Sequence, residues 1–237
     1  MIYLRSFCFY LIYIISGLLT GLLGCLIGPI LNLENRIKFL SQWPRFSNWV
    51  LYKVCNIKIV VEGKNNIPSS PFVIASNHQG QWETFFYQYF FYPLCTLLKR
   101  ELLFIPIWGW ALALLKPIAI DRGNPTVALR KALREGEKKI TEDFLVLFFP
   151  EGSRQNPGEV GRYARSAFEL AKKMNVPVLP LVHNSGDCWP AHRFLKYPGE
   201  IKLVIAPPIK DIESSEKAAR ETEGWASRQL NEIRHKD

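Results

Sequence analysis

Apolar residues are spread unevenly along the chain, and their pattern divides it before any motif is considered. From Ser6 to Leu33 the sequence runs SFCFYLIYIISGLLTGLLGCLIGPILNL without a charged side chain. About 20 helical residues span the roughly 30 Å hydrocarbon layer of a bilayer, so this run predicts a membrane-associated helix long enough to cross once. Gly17, Gly21, Gly24 and Gly28 recur within it. They either form a flat face for close packing or loosen the segment; loosening is the stronger expectation, and Pro29 marks a break near the end. The run is overlong for a secretory signal peptide and lacks a small-residue cleavage pattern. Its all-round hydrophobicity also argues against a core helix in a soluble protein of this size.

Beyond the run, shorter periods take over. PRFSNWVLYKVC mixes basic and aromatic residues around apolar ones and predicts a helix over residues 44–55 suited to a membrane interface or to core packing. IKIVVE and FVIAS read as strands on either side of a turn holding Asn65, Asn66, Pro68, Ser69 and Ser70. A helix after Gly80, a strand near CTLLKR, a helix near WGWALALL and a strand at PIAID follow. Asn124 and Pro125 start an amphipathic helix, FLVLFF is the next strand, and another helix follows the Gly-rich loop. VPVLPLV and IKLVIA supply two more strands, and the charged segment from Glu213 onward reads as a surface helix with few apolar contacts. The alternation predicts an α/β fold with a mainly parallel or mixed sheet flanked by helices, the loops at strand ends carrying the site. Neither an internal repeat nor a linker divides the 237 residues, so the expected organisation is an anchor over 1–43 and one globular domain over 44–237.

Charge adds an orientation. The net charge is +9, from 30 basic and 21 acidic side chains. Arg36, Lys38, Arg45, Lys53 and Lys58 follow the apolar run whereas only Arg5 and the amino terminus precede it, which places the body on the cytoplasmic side. Attraction to anionic lipid headgroups is expected. Nucleic acid is not, because no finger spacing, aromatic-basic repeat or helix-turn-helix pattern accompanies the charge. Cys8, Cys25, Cys55, Cys95 and Cys188 are odd in number and irregularly spaced, as in a protein with reduced thiols. His183, Cys188 and His192 form no complete ligand set, so no metal is expected. Ser153 lacks a GxSxG elbow and reads as a turn residue.

Two segments carry chemistry. In SNHQGQWE, His78 and Glu83 lie five positions apart. On an unbroken helix five steps would leave them about 140° apart, so a turn at Gly80 is needed to bring the carboxylate to the imidazole. A histidine oriented by a carboxylate is suited to general base work near neutral pH; the alternative is a satisfied histidine in a loop and an exposed glutamate. In FPEGSR, after an apolar strand, Gly152 permits close backbone approach and Arg154 can hold two phosphate oxygens. Glu151 can accept from a ligand hydroxyl or orient another positive group. A plain turn with a surface arginine explains the same residues. Lys99 and Arg100, and Arg122 at the end of PIAID, add basic groups.

Four ordered blocks, NHQGQWE, KRELLFIPIWGWALALLKPIAIDR, FPEGSR and VPVLPLV, together resemble the membrane-bound glycerolipid acyltransferase family, particularly its bacterial 1-acylglycerol-3-phosphate acyltransferases. The resemblance implies an α/β acyltransferase domain over 44–237, with His78 and Glu83 as the catalytic pair and Arg122, Glu151, Gly152 and Arg154 binding the acceptor. It further implies an acyl-CoA or acyl carrier protein donor used as substrate, a glycerolipid phosphate acceptor, membrane lipids as surroundings, and no cofactor. The chain departs from the family's common pattern at three places: Glu83 for aspartate, Gly80 for serine and Ser153 for threonine. Expected chemistry is direct attack of the acceptor hydroxyl on the thioester carbonyl, forming phosphatidic acid from 1-acylglycerol 3-phosphate. Acyl transfer to another lysophospholipid, hydrolysis of a thioester or phospholipid, and a noncatalytic membrane interaction protein are the alternatives.

Overall fold

The computed structural model describes residues 1–69, 71–121 and 123–235, so Ser70 of the expected turn and the candidate Arg122 lie outside the described residues. Helix α1 (Ile2–Ile27) takes up the apolar run, and α2 (Leu33–Leu40) and α3 (Gln42–Cys55) lead into β1 (Ile57–Glu62). Then come β2 (Val73–Ser76), α4 (Trp82–Phe90), β3 (Leu94–Lys99), α5 (Trp108–Ala113), β4 (Ile118–Ile120), α6 (Pro125–Thr141) and β5 (Leu145–Phe148). The chain ends with α7 (Ser166–Met174), β6 (Val178–His183), the single turn α8 (Ser185–Cys188), β7 (Gly199–Ile205) and α9 (Ser215–His235). Local chemistry sets several ends: the Asn124 side chain accepts from Val127 N–H at the start of α6, and Asn56 and Asn175 close α3 and α7 in the left-handed conformation.

The strands form one sheet in the order β1-β7-β6-β2-β5-β3-β4, parallel throughout except between β6 and β7. It is therefore the mixed sheet of the expectation. Central strands β2, β5 and β6 are buried at every position, as strands covered on both faces must be. Because side chains alternate, Ile74, Leu147 and Leu179 join a core with Phe9, Leu51 and Trp82, while Val73, Val146 and Val178 face Phe168, Leu170 and Leu230 on the other side. β2, β5 and β6 point the same way, so the loops leaving them emerge at one edge.

Two expectations are corrected by the packing. The last helix, α9, is not a surface helix with few apolar contacts: Ala218, Ala219, Thr222, Ala226 and Leu230 are buried in the second core. Their spacing makes a narrow stripe of mostly small side chains, which a dense run of charges on the other faces conceals. The glycines of α1 do not loosen it. A Cβ at Gly17 would stand 2.8 Å from the Trp43 ring, one at Gly21 3.0 Å from Ile107 Cγ2, and one at Gly24 2.7 Å from Leu40 Cδ2, so these positions form the face on which α2, α3 and the start of α5 seat.

The opposite side of α1 presents Phe7, Leu11, Ile14, Leu18, Leu22 and Leu26 outward, and only 17% of its most apolar stretch is buried. An apolar helix with so much uncovered surface is membrane-associated. Phe46, Trp49 and Tyr52 on α3 and Trp110 on α5 are exposed as well, so the helices that hold α1 carry aromatic side chains of the kind enriched at bilayer interfaces. Arg36 turns inward instead, donating to the carbonyls of Gly28, Leu31 and Leu114 and fixing the exit of α1 against the end of α5.

Candidate active site

Asn77 and His78 follow β2, the segment Phe149–Arg154 follows β5, and Asn184 and Ser185 follow β6. Three neighbouring parallel strands thus deliver three loops to one place, the general location of ligand sites in open α/β sheets. Asn77 stitches two of them, donating to His183 O at 2.9 Å and accepting from His183 N–H at 3.0 Å.

His78 and Glu83 do meet. His78 Nδ1 lies 2.8 Å from Glu83 Oε1, with Glu83 fully buried in the first turn of α4. The same oxygen accepts the N–H groups of Gln79 and Gly80, each at 2.8 Å, and Oε2 accepts from Ser185 Oγ at 3.0 Å. Burial alone would push the carboxyl up, yet it is held well below the usual carboxylate range by the His183 imidazole, His78 and the Gly80 N–H. Of these, His183 is itself fully buried and driven towards its neutral form chiefly by that burial. The hydrogen bonds from four donors are therefore what keep Glu83 ionised. A carboxylate can only accept, so Nδ1 carries the proton and Nε2 is left as the basic atom. The imidazole also stacks on Phe149, centroids 4.0 Å apart, which fixes the ring plane.

Gly80 plays a different part from the one its flexibility suggests. Its φ is not in the left-handed region; instead a Cβ would stand 2.7 Å from Trp189 O, so the residue is needed for the close approach of the 189 segment. Gly152, by contrast, has φ +71 and open space where a Cβ would be, and closes a turn in which its N–H donates to Phe149 O.

Glu151 lies behind the reactive face. Its Oε2 accepts from His78 N–H at 2.7 Å and its Oε1 from Gly161 N–H at 2.8 Å, bracing the β2 and β5 loops together. Burial raises its carboxyl to about 7 despite those two bonds. Arg154 is exposed at the same mouth, with no ion pair among the described residues.

His78 opens into a cavity of about 720 Å³. Its wall includes polar Gln81, Lys99, Arg154 and His192 and apolar Leu40, Trp43, Leu97, Trp108 and Leu112, with Gly21 of α1. A cavity lined by a histidine, by cationic Arg154 and Lys99 and by several apolar side chains can hold an amphiphile. Sequence reasoning singled out His78, Glu83 and Arg154, which line or adjoin this cavity, but gave no role to Ser185 and weighed His192 only as a metal ligand. Among the described residues no three His, Cys, Asp or Glu side chains are arranged to hold a metal ion.

With this geometry in hand, comparison with known proteins gives the class. The sequence model of the family described as Acyltransferase matches residues 58–184, and the chain belongs to that family and is an enzyme of it. It is 43% identical to the 1-acyl-sn-glycerol-3-phosphate acyltransferase of Pseudomonas aeruginosa, over 97% of this chain and 91% of that protein. It is also 32% identical to the human 1-acyl-sn-glycerol-3-phosphate acyltransferase alpha, over 65% of this chain and 55% of that protein. In fold it matches the crystal structure of the 1-acyl-sn-glycerophosphate (LPA) acyltransferase of Thermotoga maritima with a TM-score of 0.82 at 24% identity, covering 99% of this chain and 96% of that one.

Proposed function

We propose that this enzyme transfers a fatty acyl group from a thioester, acyl-CoA or acyl carrier protein, to the free hydroxyl of 1-acylglycerol 3-phosphate and so forms phosphatidic acid. The observation that carries the reading is His78: buried Glu83 holds its Nδ1, Nε2 is left free, and the residue lines a cavity that Leu40, Trp43, Leu97, Trp108 and Leu112 also line. The close bacterial relative named above supports the choice of acceptor.

In this mechanism Nε2 of His78 removes the acceptor's hydroxyl proton as the oxygen attacks the thioester carbonyl. Glu83 orients the ring and stabilises the imidazolium. The tetrahedral intermediate collapses, the carbon–sulfur bond breaks, and the thiolate leaves with little need for a proton. No acyl-enzyme forms. Arg154, with Arg122, holds the acceptor phosphate, and Gly152 lets the backbone approach it. Glu151 braces the loop carrying His78. The acyl chain lies in the apolar extension of the cavity, reached from the bilayer along α1. Residues 1–43 serve as the anchor and 44–237 as the catalytic domain, facing the bacterial cytoplasm as the basic residues after α1 favour.

The test is mass spectrometry of the products when reconstituted protein is given lysophosphatidate and a mixture of acyl thioesters. Phosphatidate should accumulate in step with donor loss, and folded His78→Ala protein should make almost none. Donor loss without acylated lipid would reassign the enzyme to thioester hydrolysis.

A further inference from the structure

Beside the large cavity lies a smaller one of about 270 Å³, lined by Tyr10, Gln81, Arg154, Trp189, His192 and Arg193 among others. Gln81, Arg154 and His192 belong to both walls. We propose that this cavity seats the phosphomonoester of the acceptor, with His192 and Arg193 completing the cationic site that Arg154 begins. The inference rests on the acceptor reading above and adds to Arg154 of FPEGSR two residues from outside that segment.

Charge balance is the first argument. No acidic residue lines the cavity, and among the described residues Arg154, His192 and Arg193 make no ion pair and no side-chain hydrogen bond. The acid nearest His192 and Arg193 in sequence, Asp187, is engaged by Arg234 at 3.2 Å, and Glu151, nearest Arg154, accepts from the His78 and Gly161 N–H groups. The guanidinium groups of Arg154 and Arg193, gathered around a concavity without a counter-charge, repel one another, and an anion seated there removes that cost.

The second argument is that the loop is built to stay in place. Lys196 has no exposed surface, and no carboxylate pairs with it among the described residues. Its ammonium donates to the carbonyls of Arg193 and Phe194 at 3.1 and 3.0 Å, and lies 4.6 and 5.0 Å from the ring centroids of Tyr10 and Trp189. Its backbone N–H donates to Ser6 Oγ at 2.9 Å. A buried cation is costly, so its use here to gather loop carbonyls against α1 fixes where His192 and Arg193 stand. Their backbone is thereby preorganised for a ligand.

Size and reach select the phosphate. In 1-acylglycerol 3-phosphate the free hydroxyl is separated from phosphorus by only two carbons and an oxygen, so a phosphate here leaves the hydroxyl beside the neighbouring cavity that holds His78. The phosphates of an acyl-CoA or acyl carrier protein donor lie a whole pantetheine arm from the reacting carbonyl, and a nucleotide would overfill this space.

The experiment uses the full-length protein in neutral detergent micelles, where anionic lipid cannot substitute for the acceptor. His192 and Arg193 are exposed, and the His192→Ala/Arg193→Ala double variant should raise the KM for lysophosphatidate by roughly tenfold or more, the loss of charge-assisted contacts. The KM for the thioester should stay within about twofold on the same scale of contact energies. Monoacylglycerol, which has no phosphate, should be used equally well by variant and parent, Arg193→Lys should recover part of the loss, and Lys210→Ala in a separate surface pocket should change nothing. An unchanged lysophosphatidate KM, an effect falling on the thioester, or an equal loss with monoacylglycerol overturns the site while leaving acyl transfer to lysophosphatidate intact. Failure of the parent enzyme to acylate lysophosphatidate at all, while it acylates monoacylglycerol, overturns the acceptor reading and the site together.

Discussion

Glu83→Gln separates the charge of Glu83 from its shape. Alanine is the poorer probe, because it strands Gln79 N–H, Gly80 N–H and Ser185 Oγ in a buried site, each at about 1–3 kcal/mol. Glutamine fits, and the two backbone N–H groups on Oε1 dictate which way its amide turns, since only the amide oxygen can accept from them. The amide NH2 then faces Ser185, whose hydroxyl can rotate to accept. His78 Nδ1–H still meets an oxygen, so the imidazole keeps its tautomer. This differs from serine-protease triads, where the amide variant of the aspartate imposes the wrong tautomer and costs about 10⁴ in rate. What is lost here is charge opposite the developing imidazolium. Exchanging a charged for a neutral hydrogen bond is worth about 1–2 kcal/mol, and a full unit charge about 4 Å away at an effective dielectric near 20 is worth about 4 kcal/mol. Taken between those bounds, kcat should fall on the order of 10²-fold with both KM values nearly unchanged. The assay is initial thiol release together with product lipid quantification, on protein whose thermal midpoint matches the parent. An undiminished kcat would falsify the role of Glu83, and a loss of about 10⁴ in folded protein would show the amide reversed.

Three further outcomes are expected. Gly24→Leu should undock α1, because even a Cβ there meets Leu40 at 2.7 Å; centrifugation should still find the protein with membranes, but its thermal midpoint and activity should fall together. Leu230→Ala should destabilise by about 2–5 kcal/mol in a denaturant titration, the range for a fully buried leucine, whereas a surface-helix position would lose almost nothing. Glu151 sets a pH dependence: its carboxyl is raised from 4.5 to about 7 in the folded protein, so the folded state binds this proton more tightly and its contribution to stability is full below the unfolded value. That contribution is lost as pH rises through about 7. Unfolding midpoints of parent and Glu151→Gln should therefore differ in slope between pH 4.5 and about 7, and parallel curves would show that burial does not shift this group.

The sequence made legible what is local. The strands and most of the helices announced themselves by period and by punctuation such as Asn124 before Pro125, because those signals act over a few residues; the short helices α2 and α8 did not. The His78–Glu83 pair was readable for the same reason, its two members being separated by one turn. Ser185 was not, although it holds the second oxygen of Glu83, because nothing local distinguishes a serine that lands beside a carboxylate 102 positions away from any other loop serine. Strand order was hidden likewise: β7 folds back antiparallel between β6 and β1, a placement fixed by pairing across the sheet. The stripe in α9 was present in the sequence but outweighed by charge. The glycines of α1 showed that small residues were needed without showing what would lie on them.

That last point bears on how the membrane enters the chemistry. α1 is seated on the rest of the chain through Phe9 against Trp189, through Trp43 Nε1–H on Ser16 Oγ, and through its glycine face. Gly17 and Gly21 are also wall of the reaction cavity. A side chain at either position would push out Trp43 or Ile107 and narrow the space between helix and domain. The same bare stretch of α1 therefore does two things at once: it lets the helix dock closely and it leaves room beside His78 for a chain. With the opposite face of α1 uncovered and apolar, the proposed reaction gives an acyl chain a path from lipid to cavity along one helix, with little of its length exposed to water. In the same proposal the polar ends that react meet where the loops after β2, β5 and β6 converge, which would reproduce the boundary between hydrocarbon and water inside the protein at the imidazole.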